Sequence, residues 1–357
     1  MTRKKVIIFC GLLPPPVHGF SEINNRVLQL LRKQGETVLT YRSRGSDDRM
    51  GQVKSILLDL VRIAGDMVRF SPSSMYIGLS GGSGKLVDCL FIMMARIFGI
   101  EVFIHHHSFR YVNEFERSAW LAFKIARNAT HVTLCAEMGE ILAMRYGIKA
   151  SKFLTIPNAA FLDPLPSLVP KRSRDYDVAP LNIGFLSNIT AEKGIFLFLD
   201  VLERFKENAS VHAIVAGPVE KQIEEEFSRR VKEMPNVRYV GAVYGEEKRK
   251  FFSDIDILLF PSRYRNEAEP VTILEALAHG VPVIGTLRGC IATIVKENYG
   301  MVAKETEFTA VASAFIESSI TNESPLPIMS TAAMESFQDL AGIGRLRLGQ
   351  LIKNLAN

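Results

Sequence analysis

Two carboxylates, Glu267 and Glu275, lie eight positions apart in the segment EAEPVTILEALAHGVPVIGT, residues 267–286. Pro270 and Thr272 predict that a helix starts between the two carboxylates, because proline suits the first turn and threonine can support a cap. The N–H groups at a helix start attract phosphate, and carboxylates accept hydrogen bonds from sugar hydroxyls. The segment therefore fits a ligand that is anionic in its middle and polyhydroxylated at both ends.

The setting of this carboxylate pair matters, because the same spacing arises by chance at acidic helix starts. Upstream, DIDILLFPS predicts a buried strand, and downstream HGVPVIGT predicts a capping glycine, Gly280, followed by another strand. In this α/β unit the chain resembles the family 4 retaining glycosyltransferases of the group 1 type. Glu267 and Glu275 match their E-x7-E motif, and the family's Ala-Leu-Ala-His-Gly-Val-Pro-Val-Ile follows. The resemblance extends, more weakly, over nearly the whole chain.

The composition is typical of globular domains. A chain of 357 residues with 47% hydrophobic content predicts two domains and excludes disordered and fibrous classes. Its four cysteines lie far apart, which supports neither a disulfide framework nor a Cys-x-x-Cys metal site and favours a reducing compartment. We expect the N-terminal VIIFCGLL to be a strand rather than a signal peptide, and no run reaches the ~18 apolar residues of a membrane span. A cytoplasmic protein is therefore expected.

The net charge of +5 is unevenly distributed, with 21 Lys and Arg against 13 Asp and Glu in residues 1–165 and 22 against 25 in the remainder. A basic half can face a membrane, nucleic acid or an anionic substrate, or can be scattered solvated charge. No dense basic run or aromatic stacking pattern accompanies it, so we expect no nucleic-acid partner. The apolar and basic pattern SILLDLVRIAGDMVRF predicts a lipid-linked acceptor and peripheral attachment to the inner face of an anionic membrane, although a soluble acceptor fits the same observations.

Strand-like and helix-like segments alternate along the chain. The alternation predicts a doubly wound α/β domain over residues 1–165 and a second one over residues 181–335. A proline-rich, charged stretch at 166–180 predicts a linker, and a final helix at 336–357 is expected to cross back to the first domain. The resemblance implies the GT-B fold, in which two Rossmann-like α/β/α domains with an interdomain cleft hold the acceptor and the donor, respectively.

The loop FLSNITAEKG places Lys193 directly before a predicted helix, where an ammonium group can neutralise a diphosphate, although an exposed lysine is more often solvated surface. The resembled family has Gly-Arg in this loop, with Lys-Gly five residues after the arginine. The corresponding positions are Ser187, Asn188, Lys193 and Gly194. Because asparagine stands where the family has arginine, we expect further charge on the diphosphate to be balanced by Arg263, by Arg265 or by the helix start.

Three further positions follow predicted strands or precede helices. Gly19 lies in a loop before a helix opened by Ser21, where backbone N–H groups can approach phosphate, although the loop also fits a bare turn. The resemblance places the backbone at Val243 against the nucleobase. It assigns His107, at the end of VFIHHH, a hydrogen bond to the donor sugar or stabilisation of charge at the anomeric carbon, and a core or surface histidine is the alternative. Adjacent strand residues point to opposite faces, so the three histidines are not expected to share a metal ion.

The segment GLSGGSGKLVD has the glycines of a phosphate-binding P-loop at the wrong spacing. Counted from Lys85, the first required glycine falls at Leu79, and the residue that should offer a hydroxyl to magnesium is Leu86. We therefore predict a flexible loop before a helix, on the acceptor side.

The resemblance as a whole implies a retaining, metal-independent, hexosyltransferase-type enzyme without a cofactor. It would move a sugar from a UDP- or GDP-sugar to a glycan or lipid-linked acceptor, as in cell-envelope polysaccharide synthesis. The residues assigned to catalysis are His107, Lys193 and Glu267, and those assigned to donor binding are Gly19, Asn188, Lys193, Val243, Pro270, Val271, Thr272 and Glu275. A nucleotide-sugar epimerase of the same fold and a nucleotide-sugar-binding protein without turnover are the alternatives. A glycosidase is disfavoured, because both carboxylates belong to one short segment.

Overall fold

The computed structural model describes residues 5–15, 19–41, 49–79, 81–82, 84–163, 180–321 and 324–357. The chain forms two compact units. The N-terminal unit contains Met1–Phe161 and Ala341–Asn357, and the C-terminal unit contains Leu162–Leu340. Apart from Pro180, the linker predicted at 166–180 lies outside the described residues.

The N-terminal unit is built on a six-stranded parallel sheet with the order β2-β1-β3-β4-β5-β6. Its strands read as continuous apolar runs such as VIIFC, which is typical of parallel strands that are covered on both faces. The strands are β1 (Val6–Cys10), β2 (Thr37–Tyr41), β3 (Ser74–Leu79), β4 (Glu101–His106), β5 (Thr130–Thr133) and β6 (Phe153–Thr155). The helices between them are α1 (Gly19–Lys33), α2 (Arg49–Phe70), α3 (Lys85–Ile97), α4 (Arg110–Asn113), α5 (Arg117–Ile125) and α6 (Ala136–Tyr146).

The strand order determines which helices share a face of this sheet. The chain steps from β1 to β2 in one direction and from β2 through β6 in the other. Because parallel crossovers are right-handed, α1 covers one face, and α2, α3, α5 and α6 cover the opposite face. The core on the α1 side contains Phe9, Val27, Tyr76, Phe103 and Leu351, the last from the C-terminal helix.

The C-terminal unit has a second six-stranded parallel sheet, with the order β12-β11-β10-β7-β8-β9. Its strands are β7 (Leu181–Leu186), β8 (Val211–Ala216), β9 (Val237–Tyr239), β10 (Ile257–Phe260), β11 (Val283–Thr286) and β12 (Gly300–Ala303). Its helices are α7 (Ile195–Glu203), α8 (Glu224–Lys232), α9 (Gly245–Asp254), α10 (Val271–Ala278), α11 (Ile291–Ile294), α12 (Phe308–Ser319) and the first part of α13 (Leu326–Ala356). The predicted strand-helix alternation is confirmed for the elements that were named, but β12 and the helices α9, α11 and α12 were not predicted.

Each sheet has one point at which the strand order reverses. In the N-terminal unit the reversal lies between β1 and β3, and in the C-terminal unit it lies between β7 and β10. The helices that follow the two strands at such a point lie on opposite faces of the sheet, which leaves a crevice at the carboxyl ends of the strands, where doubly wound proteins bind ligands.

The C-terminal helix α13 belongs to both units, which divide it between Leu340 and Ala341. It begins ten residues before the predicted position 336, and Pro327 lies in its first turn, where proline is tolerated. In the N-terminal unit, Ser74 Oγ donates to Leu355 O at 2.5 Å and Arg347 Nη1 donates to Thr155 O at 3.0 Å. These contacts attach the end of the chain to β3 and β6.

Candidate functional site

The clearest polar cluster in the described part of the C-terminal unit surrounds Glu267. Its Oε2 accepts hydrogen bonds from Lys193 Nζ and from Ser262 Oγ, each at 2.7 Å. The Glu267 side chain is 10% exposed and that of Lys193 is 23% exposed, so the ion pair is partly desolvated. Lys193 Nζ also lies 4.9 Å from the centre of the Tyr264 ring. Such charge-assisted hydrogen bonds hold both side chains in one geometry.

The topology of the sheet explains why Lys193 and Glu267 meet, although they are 74 residues apart. Lys193 follows β7 and Glu267 follows β10, and these strands are neighbours at the reversal of strand order. The carboxyl ends of parallel neighbours lie at the same edge of the sheet, so the two loops come together where ligands bind in such folds.

Backbone contacts join the two loops tightly. Gly194 has a φ of +81°, and a Cβ added there would lie 1.9 Å from Pro261 O. Arg263 N donates to Glu192 O at 2.8 Å across the same junction. Only glycine permits both the left-handed conformation and this approach, so the glycine after Lys193 sets the distance between the loops.

The Glu267 loop is also fixed from the side of β11. Thr286 Oγ1 donates to Ser262 O at 2.5 Å, and Cys290 N donates to Ala268 O at 2.8 Å. A Cβ on Gly289, whose φ is +49°, would lie 2.2 Å from Glu267 O. With contacts on two sides, Glu267 is held in place before any ligand arrives.

The second predicted carboxylate, Glu275, lies on α10, and its Oε1 accepts a hydrogen bond from Lys248 Nζ at 2.6 Å. The helix begins at Val271, so Pro270 precedes it instead of lying in its first turn, and no side-chain hydrogen bond caps it. The prediction that Thr272 supports a cap is therefore wrong. Pro270 O instead accepts the hydrogen bond of Ile273 N at 3.1 Å, which starts the helix through the backbone.

The remaining predicted donor-site residues in this unit surround the same edge of the sheet. Asn188 is exposed two residues after β7, and Val243 is half-buried just before α9. Val271 and Thr272 are half-buried at the start of α10. The structure thus brings Lys193 and Glu267 into contact, with Asn188 in the same loop as Lys193.

Arg263, one of the two arginines expected to compensate for Asn188, is engaged elsewhere. Its Nε donates to Glu305 Oε1 at 2.7 Å, and Arg288 Nη2 donates to Glu305 Oε2 at 2.8 Å. Glu305 and Lys248 could not be predicted from the sequence, because both belong to segments far from the motif. The sequence marked Ser262 only as the residue that ends the predicted strand before the motif, and its hydrogen bond to Glu267 was not predicted.

In the N-terminal unit, Gly19 is the first residue of α1, two residues earlier than the helix start predicted at Ser21. Glycine is tolerated at a helix N-terminus, so the helix can begin before Ser21. Residues 16–18 of the preceding loop lie outside the described residues.

His105 and His106 end β4 and His107 follows directly, and their rings alternate between the two sides as extended backbone predicts. The rings of His105 and His107 are 3.9 Å apart between centres, on the side of Tyr76. His106 lies on the other side, with Nε2 3.0 Å from His131 Nδ1.

Burial keeps these histidines neutral. Desolvation lowers the pKa of His107 to about 3 and that of His131 to about 3, the latter with a smaller contribution from Lys152. Desolvation and neighbouring histidines also lower the pKa values of His105 and His106 well below the usual range. His107 Nε2 is buried and has no hydrogen-bond partner among the residues that the structure describes. The His107 ring can therefore accept or donate a hydrogen bond as a neutral group.

The crevice of the N-terminal sheet is occupied by Asn24 of α1, a residue that sequence reasoning missed. Its Nδ2 donates to Leu12 O at 3.1 Å, and its Oδ1 accepts from Tyr76 Oη at 3.3 Å. A Cβ on Gly78 would lie 2.5 Å from Asn24 Oδ1, and one on Gly11 would lie 3.1 Å from Nδ2. The only available signal was a polar residue on the apolar face of α1.

Lys85 is buried, which agrees with the rejection of a P-loop. Its Nζ donates to Gly81 O at 3.0 Å and lies 2.6 Å from Glu116 Oε2. The ammonium group therefore points into the protein. Ser80 and Ser83 of this segment lie outside the described residues.

The C-terminal unit is similar in sequence to a family of known proteins. Residues 180–318 match the family model described as glycosyl transferases group 1. They contain all of the predicted site residues of the C-terminal unit.

A GDP-mannose-dependent alpha-mannosyltransferase of Corynebacterium glutamicum is 26% identical over 176 residues, 48% of this chain and 39% of that protein. AmsK of Erwinia amylovora, an amylovoran biosynthesis glycosyltransferase, is 25% identical over 167 residues, 44% of this chain and 41% of that protein. The chain thus spans less than half of the length of these relatives.

Solved structures show the fold. The crystal structure of HepE from Anabaena in complex with UDP superposes with a TM-score of 0.72 at 14% identity, covering 98% of this chain and 100% of that chain. The two parallel six-stranded sheets with their helices match GT-B glycosyltransferases, and the predicted fold class is confirmed.

We expect Gly194→Ala to lower the free energy of unfolding by at least about 2 kcal/mol, because the new Cβ meets a backbone carbonyl as well as an unfavourable φ. Gly241→Ala is the matched control, since Gly241 has a φ of +79° but no described atom within 4 Å of its Cβ position. Urea unfolding measures both, and equal losses would contradict the role of the Gly194 contact.

We expect the free energy of unfolding to fall as the pH is lowered from about 6.5 towards 3. Unfolded histidine, with a pKa near 6.5, binds a proton in this range, whereas folded His131, with a pKa of about 3, does not. His131→Gln removes one such group. The free energy of unfolding of this variant should therefore fall less than that of the wild type, with a difference of up to about 1.4 kcal/mol per pH unit. Urea unfolding at pH 7 and pH 5 tests this, and parallel losses in the two proteins would refute it.

Proposed function

We propose that the protein is a retaining glycosyltransferase that moves a sugar from a nucleotide-diphosphate-sugar to a glycan or lipid-linked acceptor. The observation that carries the proposal is the contact between Lys193 and Glu267 at the strand-order reversal. It lies within the part of the chain that matches glycosyl transferases group 1. Two names support a UDP-sugar and a GDP-sugar as donors: a solved structure of HepE from Anabaena is a complex with UDP-glucose, and the relative from Corynebacterium glutamicum is GDP-mannose-dependent.

In the proposed reaction, the bond between the anomeric carbon and the diphosphate oxygen breaks. The acceptor oxygen then bonds to the anomeric carbon on the face that the diphosphate leaves, and a diphosphate oxygen takes the acceptor proton. Lys193 and the N–H groups at the start of α10 balance the charge on the leaving group, which is the largest electrostatic change in the reaction. We assign no protein general base and no metal ion, and retention of activity in EDTA tests the second assignment.

The other site residues bind and orient the donor. We assign Glu267 to the sugar and Glu275 to the ribose hydroxyls, with Lys248 holding the Glu275 carboxylate in position. His107 is assigned a hydrogen bond to the sugar, supported by its buried ring nitrogen without a partner among the described residues. The backbone at Gly19 and the side-chain amide of Asn188 are assigned to the diphosphate. The backbone at Val243 is assigned to the nucleobase.

A nucleotide-sugar-binding protein without turnover is the second candidate, and the observation that favours it is the exposed Asn188 at the position of the family's arginine. Incubation with radiolabelled UDP- and GDP-sugars, with and without lipid extracts, separates the possibilities. Label transferred to an acceptor with the donor's anomeric configuration supports the enzyme. Epimerised free donor would support an epimerase, and saturable binding without any product would support the binding protein.

The acceptor and its location complete the proposal. If the acceptor is lipid-linked, the enzyme must reach an anionic membrane surface, and a peripheral position at the inner face of the membrane is proposed. Among the described helices, none is both long and apolar enough to cross a membrane. Cell-envelope polysaccharide assembly is the proposed setting, supported by the names of relatives such as AmsK.

We expect Lys193→Ala to lower kcat by about 10²- to 10³-fold, the typical effect of removing one donor that stabilises a leaving oxyanion. Lys304→Ala is the matched control, because Lys304 belongs to the same unit and its side chain is 70% exposed. Steady-state transfer assays measure both variants, and full activity of Lys193→Ala would remove this residue from the mechanism.

We expect Glu275→Gln to weaken nucleotide binding by roughly ten- to a hundredfold, because hydrogen bonds to a charged carboxylate contribute about 1.5–3 kcal/mol. Glu246→Gln on α9 is the control, since the Glu246 side chain is 82% exposed. Isothermal titration with UDP and with GDP measures the affinities. Unchanged affinity for both nucleotides would exclude the ribose role.

A further inference from the structure

The outward stripe of α3 is apolar. Leu86, Leu90, Met93 and Ile97 follow one another at helical spacing and are 58%, 38%, 42% and 72% exposed. The opposite stripe of the same helix is buried and contains Cys89, Phe91, Ile92 and Ala95 together with Lys85 and Asp88. A helix that covers a sheet normally turns polar residues to water, so the outward stripe of α3 has the character of a contact surface.

The neighbouring helices extend this surface. α3 packs against both α2 and α5, on the side of the sheet opposite α1. The exposed apolar side chains of α2, α3 and α5 are called the outer helical face here. Besides the stripe of α3, the face contains Leu57, Leu58, Val61 and Val68 of α2, and Trp120 and Leu121 of α5.

The acidic residues of these helices point away from this face. Asp59 and Asp88 are buried, and Asp66 Oδ2 accepts a hydrogen bond from Tyr41 Oη at 2.6 Å. Among the described side chains of α2, α3 and α5, every acidic residue is buried or half-buried.

The basic residues, in contrast, are exposed beside the apolar ones. Arg62, Arg69, Arg96, Arg117 and Lys124 are exposed on the three helices. Lys124 Nζ lies 5.6 Å from the centre of the Trp120 ring, which combines a cation with an aromatic side chain of the kind that favours a membrane interface. The outer helical face is therefore apolar and cationic at once.

We propose that the outer helical face docks on the surface of an anionic lipid bilayer. Its apolar side chains would enter the boundary between headgroups and acyl chains, and its arginines would pair with lipid phosphates. The alternative occupant, a second copy of this chain, fits less well. A twofold interface would bring the arginines of the two copies together without an exposed carboxylate on these helices to pair with them. The proposal rests on the peripheral membrane position of the proposed function and assigns it a surface, but it does not depend on the transfer reaction.

Vesicle sedimentation tests the proposal with the full chain. We expect the protein to bind vesicles of phosphatidylcholine and phosphatidylglycerol more strongly than vesicles of phosphatidylcholine alone, and added salt should weaken the binding. Ile97→Glu is expected to lower the partition coefficient tenfold or more. Leu346→Glu is the matched control, because Leu346 is 79% exposed, against 72% for Ile97, and lies on α13, which packs on the other face of the sheet.

A second variant tests the charge. Arg62→Gln with Arg69→Gln should lower binding to anionic vesicles by about fivefold for each arginine and leave binding to neutral vesicles unchanged. Absence of binding to anionic vesicles, or equal losses in Ile97→Glu and Leu346→Glu, would overturn the proposal. Sedimentation equilibrium that shows a dimer abolished by Ile97→Glu would overturn it in favour of self-association. Donor binding by Ile97→Glu, measured with UDP and GDP, should match that of the wild type, which separates this test from that of the transfer reaction.

Discussion

The C-terminal unit depends on the close approach of two loops at the reversal of its strand order. Gly194 lies against the carbonyl of Pro261, so the loop after β7 and the loop after β10 touch through their backbones. This contact puts Lys193 within hydrogen-bonding distance of Glu267. The ion pair thus follows from a backbone constraint, because a side chain at position 194 would push the two loops apart.

The two sheets use the same topological feature differently. In the C-terminal unit the crevice at the strand-order reversal is lined by charged side chains, which leaves functional groups at the edge of the sheet. In the N-terminal unit the amide of Asn24 fills the corresponding position and satisfies a backbone carbonyl and a tyrosine hydroxyl. Buried polar groups of this kind are stable only when they are hydrogen-bonded, and the contacts of Asn24 meet that requirement.

The sequence predicted most of the fold because parallel strands and their helices have strong periodic signals. It predicted five of the strands of the C-terminal sheet and missed β12, whose residues, GMVA, lie between the charged stretches KENY and KETE and give only a weak apolar signal. It identified Lys193 and Glu267 because their spacing from helix starts carries chemical meaning. The ion pairs of Lys248 and Glu305 could not be predicted, since ion pairs between distant segments leave no local sequence pattern. The roles of Lys193 and Glu267 in binding a donor remain predictions.

Asn24, Gly11 and Gly78 also constrain how this protein can change over generations. Each glycine leaves space that the asparagine side chain fills, so the three positions are coupled although they lie on three different elements or their ends. A larger residue at position 78 is tolerable only in a background where position 24 has already become smaller, and a smaller residue at 24 leaves a cavity until 78 grows. The order of substitutions is therefore restricted, and relatives of this protein should carry these three residues as a correlated set.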